Sequence, residues 1–121
     1  MSARNVKTNL ALVGLISDLK AQTRSTGAPL WRDVASRLEN SRSNWAQPNL
    51  SRLSRYMPAD AVVLVPGKLL GSGGVEGSPT VAAYSVSSGA RKKIEAAGGR
   101  VLSLRELMNE NPEGKGVQIL G

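Results

Sequence analysis

The 121-residue chain contains no cysteine, no histidine and no phenylalanine. Without cysteine it can form no disulfide, hold no iron–sulfur cluster and offer no thiol nucleophile. Without histidine it has no triad base, and the two absences together remove Cys/His zinc sites. Carboxylates could still perform acid–base chemistry alone. The nine present are scattered, and none sits in an apolar run that would desolvate it. Glu106 and Glu110, an i, i+4 pair, read as a solvated helix face. An enzyme is therefore not expected, and neither is a metal or cofactor. Long apolar runs are missing too. The longest reach about five residues, against roughly 20 for a membrane-spanning helix. Met1 to Lys7 carries charge but no apolar run ahead of a cleavage site, so the chain does not read as beginning with a signal peptide. A reducing, cytoplasmic compartment is the simplest expectation.

Acidic residues are scarce where basic ones gather. Lys and Arg number 16 against nine Asp and Glu, for a formal charge of +7. Up to Arg55 the chain holds nine basic residues and three acidic ones, while the remainder is nearly neutral. From Asn40 to Ala59 no acidic residue intervenes. A solvated surface normally mixes both signs, so this run points to a polyanionic partner, nucleic acid or an acidic membrane surface. The core must come from Leu, Val, Ile and Ala, because only Trp31, Trp45, Tyr56 and Tyr84 are aromatic.

The apolar spacing orders the chain. Leu12, Leu15, Ile16 and Leu19 share one helical face, with Thr8 or Asn9 as candidate cap and Gly27 past the end. Ala28-Pro29 opens a second helix with the stripe Trp31, Val34, Ala35 and Leu38. Residues 40–48 have no periodicity and read as a loop. Leu50, Leu53 and Tyr56 fit a short helix or a strand. Ala61 to Val65 and Thr80 to Val86 read as buried strands around a glycine-rich loop or hairpin, 67–74. Ser87 or Ser88 can cap a helix running to Ala97, closed by Gly98-Gly99. A short strand at 101–104, a helix from Leu104 to Glu110 and a last strand at 117–120 follow. The alternation implies an α/β fold.

The glycine cluster fails both phosphate-binding fingerprints. Gly67-Lys68 is followed by Leu69 and has no glycine five residues earlier, and Gly71 and Gly73 meet Glu76 where a third glycine is needed. It reads as a tight turn or, helped by Lys68, as a backbone contact to phosphate. Asn49-Leu50-Ser51 matches a glycosylation sequon without supporting context. The basic arm is more informative. Arg42, Trp45, Arg52 and Arg55, with Asn44, Gln47 and Asn49 among them, combine guanidinium forks, an indole and amide donors. Guanidinium pairs with phosphate bidentately, and an exposed indole stacks on unpaired bases. Trp45 reads equally well as an anchor of the loop on the core. Arg91-Lys92-Lys93 forms a second cluster, either a solvated face or a phosphate contact.

Pro29-Leu30-Trp31, Asn49-Leu50-Ser51-Arg52-Leu53, Val65-Pro66-Gly67-Lys68-Leu69-Leu70-Gly71-Ser72-Gly73, Thr80-Val81-Ala82-Ala83, Ser88-Gly89-Ala90, Ile94 and Gly98-Gly99, in that order, resemble the eighteen-e family of large-subunit ribosomal proteins. That family occurs in archaea and eukaryotes and is related to part of the bacterial fifteenth large-subunit protein; the short length here resembles the archaeal form. The resemblance implies a non-catalytic structural component of the large subunit, bound to its rRNA and to neighbouring ribosomal proteins. It also implies a single α/β domain over 1–121, in which a basic helical and extended region over 1–57 precedes a compact part of irregular strand–strand–helix turns over 58–121. The expected RNA contacts are Arg4, Lys7, Arg24, Arg42, Asn44, Trp45, Asn49, Arg52, Arg55, Lys68, Arg91, Lys92 and Lys93. A free-standing regulatory RNA-binding protein is the alternative. Pro48 departs from the family's pattern, and takes an amide donor away from any strand pairing just before Asn49.

Overall fold

A computed structural model describes residues 3–58 and 60–121, apart from the side chains of 3–9 and of Arg42. The first apolar stripe lies on helix α1 (Ala3–Thr26). The helix starts well before Thr8 and Asn9, so neither caps it. It ends where the Gly27 N–H donates to the Thr23 carbonyl at 2.8 Å. Helix α2 (Pro29–Glu39) opens on its proline and buries Trp31, Val34, Ala35 and Leu38, the four residues its spacing singles out. A single 3-10 turn, Arg42–Asn44, follows. The ambiguous segment with Leu50 and Leu53 is helix α3 (Leu50–Tyr56), with both leucines buried.

The remaining chain alternates strand and helix: β1 (Val62–Leu69), β2 (Thr80–Val86), α4 (Ser88–Ala96), β3 (Arg100–Ser103), α5 (Leu104–Glu110) and β4 (Val117–Ile119). The strands form one sheet in the order β3-β2-β1-β4, and every pairing is parallel. Parallel strands need cover on both faces, and the side-chain alternation supplies it. Leu64, Ala82 and Leu102 pack with α1, α2 and α5, whereas Val63, Val65, Val81 and Ala83 pack with α3 and α4. The result is a helix–sheet–helix sandwich, with the core split between the two faces of one sheet. Both late helices are capped, α4 by Ser87, one of the two serines its sequence offers. The Ser87 hydroxyl accepts from the Ala90 N–H at 3.2 Å. Ser103 and Glu106 form a reciprocal capping box ahead of α5.

The β1–β2 connection departs from expectation. Parallel pairing rules out a hairpin, so residues 70–79 must carry the chain back along a strand of eight residues, a distance of about 26 Å. They do so without a helix, as a strap laid between α3 and α4. The Ser51 N–H donates to the Ser72 carbonyl at 3.0 Å, and the Ser54 hydroxyl to the Gly74 carbonyl at 2.8 Å. At the far end, the Ser78 hydroxyl donates to the Ala97 carbonyl at 2.9 Å. Crowding explains the glycines. A Cβ on Gly71 would lie 2.9 Å from the Ala90 nitrogen, and one on Gly73, whose φ is +100°, would lie 2.7 Å from the Ser51 nitrogen. The cluster is thus a packing device as much as a turn.

The Val65-Pro66-Gly67-Lys68 stretch has its own geometry. The register between β1 and β2 shifts there by one residue, a bulge that accommodates a proline without an amide. A side chain on Gly67 would strike the Ala46 carbonyl. Ala46 and Asn49 form isolated parallel bridges to Gly67 and Leu70. Pairing therefore persists past Pro48, which lacks a donor but accepts from the Leu70 N–H at 2.8 Å.

Candidate nucleic-acid interface

Helix α3 has the sequence Leu-Ser-Arg-Leu-Ser-Arg-Tyr, without a carboxylate. At about 100° per residue, Leu50 and Leu53 form one buried stripe, and Arg52, Arg55 and Tyr56 are turned outward. Both guanidinium groups lie over the Tyr56 ring, Arg52 at 5.6 Å and Arg55 at 5.9 Å from its centroid. Tyr56 as a whole is 63% exposed. With Ser51 these three side chains line an open hollow of about 350 Å³. Exposed cation–π contacts of this kind are worth about 0.5–1 kcal/mol, whereas a base stacked on an aromatic ring is worth about 1–3 kcal/mol. A base can therefore take the ring and leave the guanidinium groups for phosphate.

Ion pairing sorts the cations. Lys20 pairs with Glu39 at 2.9 Å and joins α1 to α2, Arg105 pairs with Asp18 and joins α5 to α1, and Arg100 donates to both oxygens of Glu110 at 2.9 and 2.8 Å. Arg37 and Lys115 pair with the nearby Asp33 and Glu113. On α4, Arg91 reaches Glu95 only at 4.0 Å. Among the described residues, Arg24, Arg32, Arg52, Arg55, Lys68 and Lys92 have no carboxylate within ion-pair distance. Glu106 and Glu110 are thus a cap and a salt-bridge partner. Their roles are accounted for without acid–base chemistry. The Glu106 carboxyl is held below its usual range by the backbone N–H and hydroxyl of Ser103, with smaller help from Arg91 and Arg100 against a desolvation cost.

The residues singled out from sequence take different places. Arg52, Arg55, Arg91 and Lys92 stand exposed on α3 and α4, on the same side of the sheet. Lys93, from the same run, donates to the carbonyls of Gly71 and Gly73, both at 2.8 Å, and so clamps the strap. Asn49 accepts from the Ser72 N–H at 3.2 Å and holds the strap's other edge. Lys68 is exposed on β1. Asn44 donates to the Ser41 hydroxyl at 3.2 Å within the 3-10 turn. Trp45 follows the anchor reading: it is half-buried, donates from Nε1 to the Asn40 carbonyl at 2.9 Å, and meets Tyr84 edge-on at 4.9 Å. Arg24 lies in the last turn of α1, apart from the α3–α4 face. The side chains of Arg4, Lys7 and Arg42 lie outside the described residues. Sequence reasoning did not single out Tyr56, although Arg52 stands four residues before it and so on the same face of the helix.

Among the described residues, no group of acidic side chains could hold a metal ion, and no helix is long and apolar enough to cross a membrane. Comparison with known proteins gives a consistent answer. Residues 2–121 match the family model described as ribosomal protein 60S L18 and 50S L18e. A protein of Halobacterium salinarum named large ribosomal subunit protein eL18 is 47% identical over 114 residues, covering 94% of this chain and 97% of its own length. Proteins of the same name from Methanospirillum hungatei and Haloarcula marismortui are 45% and 46% identical, and cover 99% and 94% of this chain with 99% and 97% of their own lengths.

Proposed function

The chain belongs to the ribosomal L18 and L18e family, and from that premise we propose that it grips large-subunit rRNA through the α3–α4 face. It is a structural constituent of the large ribosomal subunit and not an enzyme. Its partners are large-subunit rRNA and neighbouring ribosomal proteins. The observation that carries this conclusion is the match of nearly the whole chain to relatives that bear the name of a large-subunit protein. The free-standing regulator is not favoured, since those relatives are covered over almost their full length as well.

The choice of face rests on charge. Arg52, Arg55, Lys92 and, more weakly tied, Arg91 are cations left without firm protein partners, on helices held rigidly over the sheet. Guanidinium forks on a rigid support are well suited to phosphate. Lys68 and Arg24 add charge at separate points, and Arg4, Lys7 and Arg42 extend the basic character of the first 57 residues. Lys93, Asn49, Asn44 and Trp45 act on the RNA indirectly, by fixing the strap and the loop that present the face. The whole of 1–121 works as one unit, a reading supported by the core that Leu19, Trp31 and Leu38 share with Leu64. Leu10 and Val13, exposed on α1, are apolar surface available to a neighbouring protein.

The test is co-sedimentation of a tagged full-length chain with large subunits through a high-salt wash. Retention at one copy per particle is the expected result. A chain that washes free and stays bound to other RNA would contradict it.

A further inference from the structure

We propose that the Tyr56 ring is a stacking platform for an unpaired nucleotide of the rRNA, with Arg52 and Arg55 taking the phosphates that flank it. This rests on the rRNA-binding reading and goes beyond it by naming the conformation of RNA the face selects. Of the four aromatic residues, Trp31 is buried, and Trp45 and Tyr84 are half-buried against each other. Only Tyr56 is exposed, at 63%. Among the described residues its ring partners are two cations, and neither has a carboxylate within ion-pair distance.

The chemistry of RNA then decides which nucleotide fits. In an A-form duplex the base faces are stacked on one another, and a protein meets phosphates, hydroxyls and base edges. A purely electrostatic contact needs cations and no ring. An exposed ring between two guanidinium groups is matched to a splayed-out base, whose face covers the ring while its two phosphates meet the cations. The hollow of about 350 Å³ beside Ser51 is at the lower end of the size range of small-molecule sites, which suits one nucleotide rather than a helix.

The experiment uses the full-length chain and two RNAs with the same number of phosphates, a single-stranded oligoadenylate and a fully paired duplex. Tyr56→Leu should weaken oligoadenylate binding roughly 5- to 100-fold, the equivalent of losing one base–aromatic stack. Duplex binding and the salt slope should stay within about twofold of the parent, and Tyr56→Phe should bind both RNAs as the parent does. If Tyr56→Leu binds oligoadenylate normally while Arg52→Ala with Arg55→Ala does not, the platform is wrong and the basic face stands. If the double arginine variant also binds normally, the face itself is wrong. A second measurement avoids any variant: assembled large subunits are irradiated and the cross-linked peptides identified. A nucleotide attached to Tyr56 is the expected product. A protein peptide attached there instead would overturn the proposal.

Discussion

The two faces of the sheet treat their charged and aromatic residues in opposite ways. On the α1–α2–α5 side, ion pairs join α1 to α2 and α5 to α1, and Trp31 is buried with its Nε1 donating to the Pro112 carbonyl at 2.8 Å. Among the described residues on the α3–α4 side, one ion pair is found and spans 4.0 Å, Arg52 and Arg55 have no carboxylate within ion-pair distance, and Tyr56 is exposed. The first arrangement ties α1, α2 and α5 together, although Arg24 and Arg32 have no carboxylate within ion-pair distance among the described residues. On the proposed reading, a polyanion completes the second. A net charge of +7 is therefore better understood by which cations are already engaged than by their number.

The largest effect expected concerns the first face. Leu64 is fully buried in the core beneath α1, α2 and α5. Leu64→Ala should lower stability by about 2–5 kcal/mol, enough to threaten a small domain of ordinary marginal stability. Thermal melting by circular dichroism measures it, and the salt slope of RNA binding by the remaining folded protein should not change. Gly73→Ala comes next. It forces a left-handed φ on alanine and presses Cβ against Ser51, so a loss of about 1–3 kcal/mol is expected. RNA affinity should fall with it, because α3 rests on the strap. A stable Gly73→Ala protein with normal affinity would separate the strap from the RNA face.

Smaller effects sharpen the comparison. Lys93→Met removes the clamp on Gly71 and Gly73 and should cost about 1 kcal/mol or less. The salt slope should hardly move, whereas Lys92→Met should change the slope and not the melting temperature. The smallest effect is acid sensitivity at the α5 capping box. The folded pKa of Glu106 lies below its unfolded value, so its stabilisation is present above the ordinary carboxylate range. It is lost as the pH falls through the folded value. Glu106→Gln keeps a capping side chain and should flatten that acid limb of melting temperature against pH.

Much of the fold was legible because local spacing carried it. The α2 stripe, the Ser87 cap and the buried strands are each decided by residues close in sequence. The stripe from Leu12 to Leu19 marks only the part of α1 that packs, so spacing alone makes the helix shorter than its 24 residues. The strap was read as a turn or hairpin because nothing local says that β1 and β2 are parallel; α3 and α4 must be in place before the glycines make sense. The basic arm was legible as charge, yet its division was not. Arg105 finds Asp18 across 87 positions, and Lys93 finds Gly71 and Gly73 across about 20. Only folding shows which cations are already occupied. The place of Trp45 is likewise set only by folding. The 3-10 turn and Tyr84 shelter the indole, whereas Tyr56 lies about 90° from the middle of the Leu50–Leu53 stripe.

The most direct test is the salt dependence of binding to a large-subunit rRNA fragment, for the parent chain and for Arg52→Ala with Arg55→Ala. If about six phosphates are neutralised, log K against log salt should fall with a slope of roughly −4 to −5 in the parent. Removing two phosphate contacts should make the slope shallower by about 1.4–1.8, with the melting temperature unchanged or slightly raised by relief of self-repulsion. Equal slopes for the two proteins, both folded, would contradict the assignment of the α3–α4 face to rRNA.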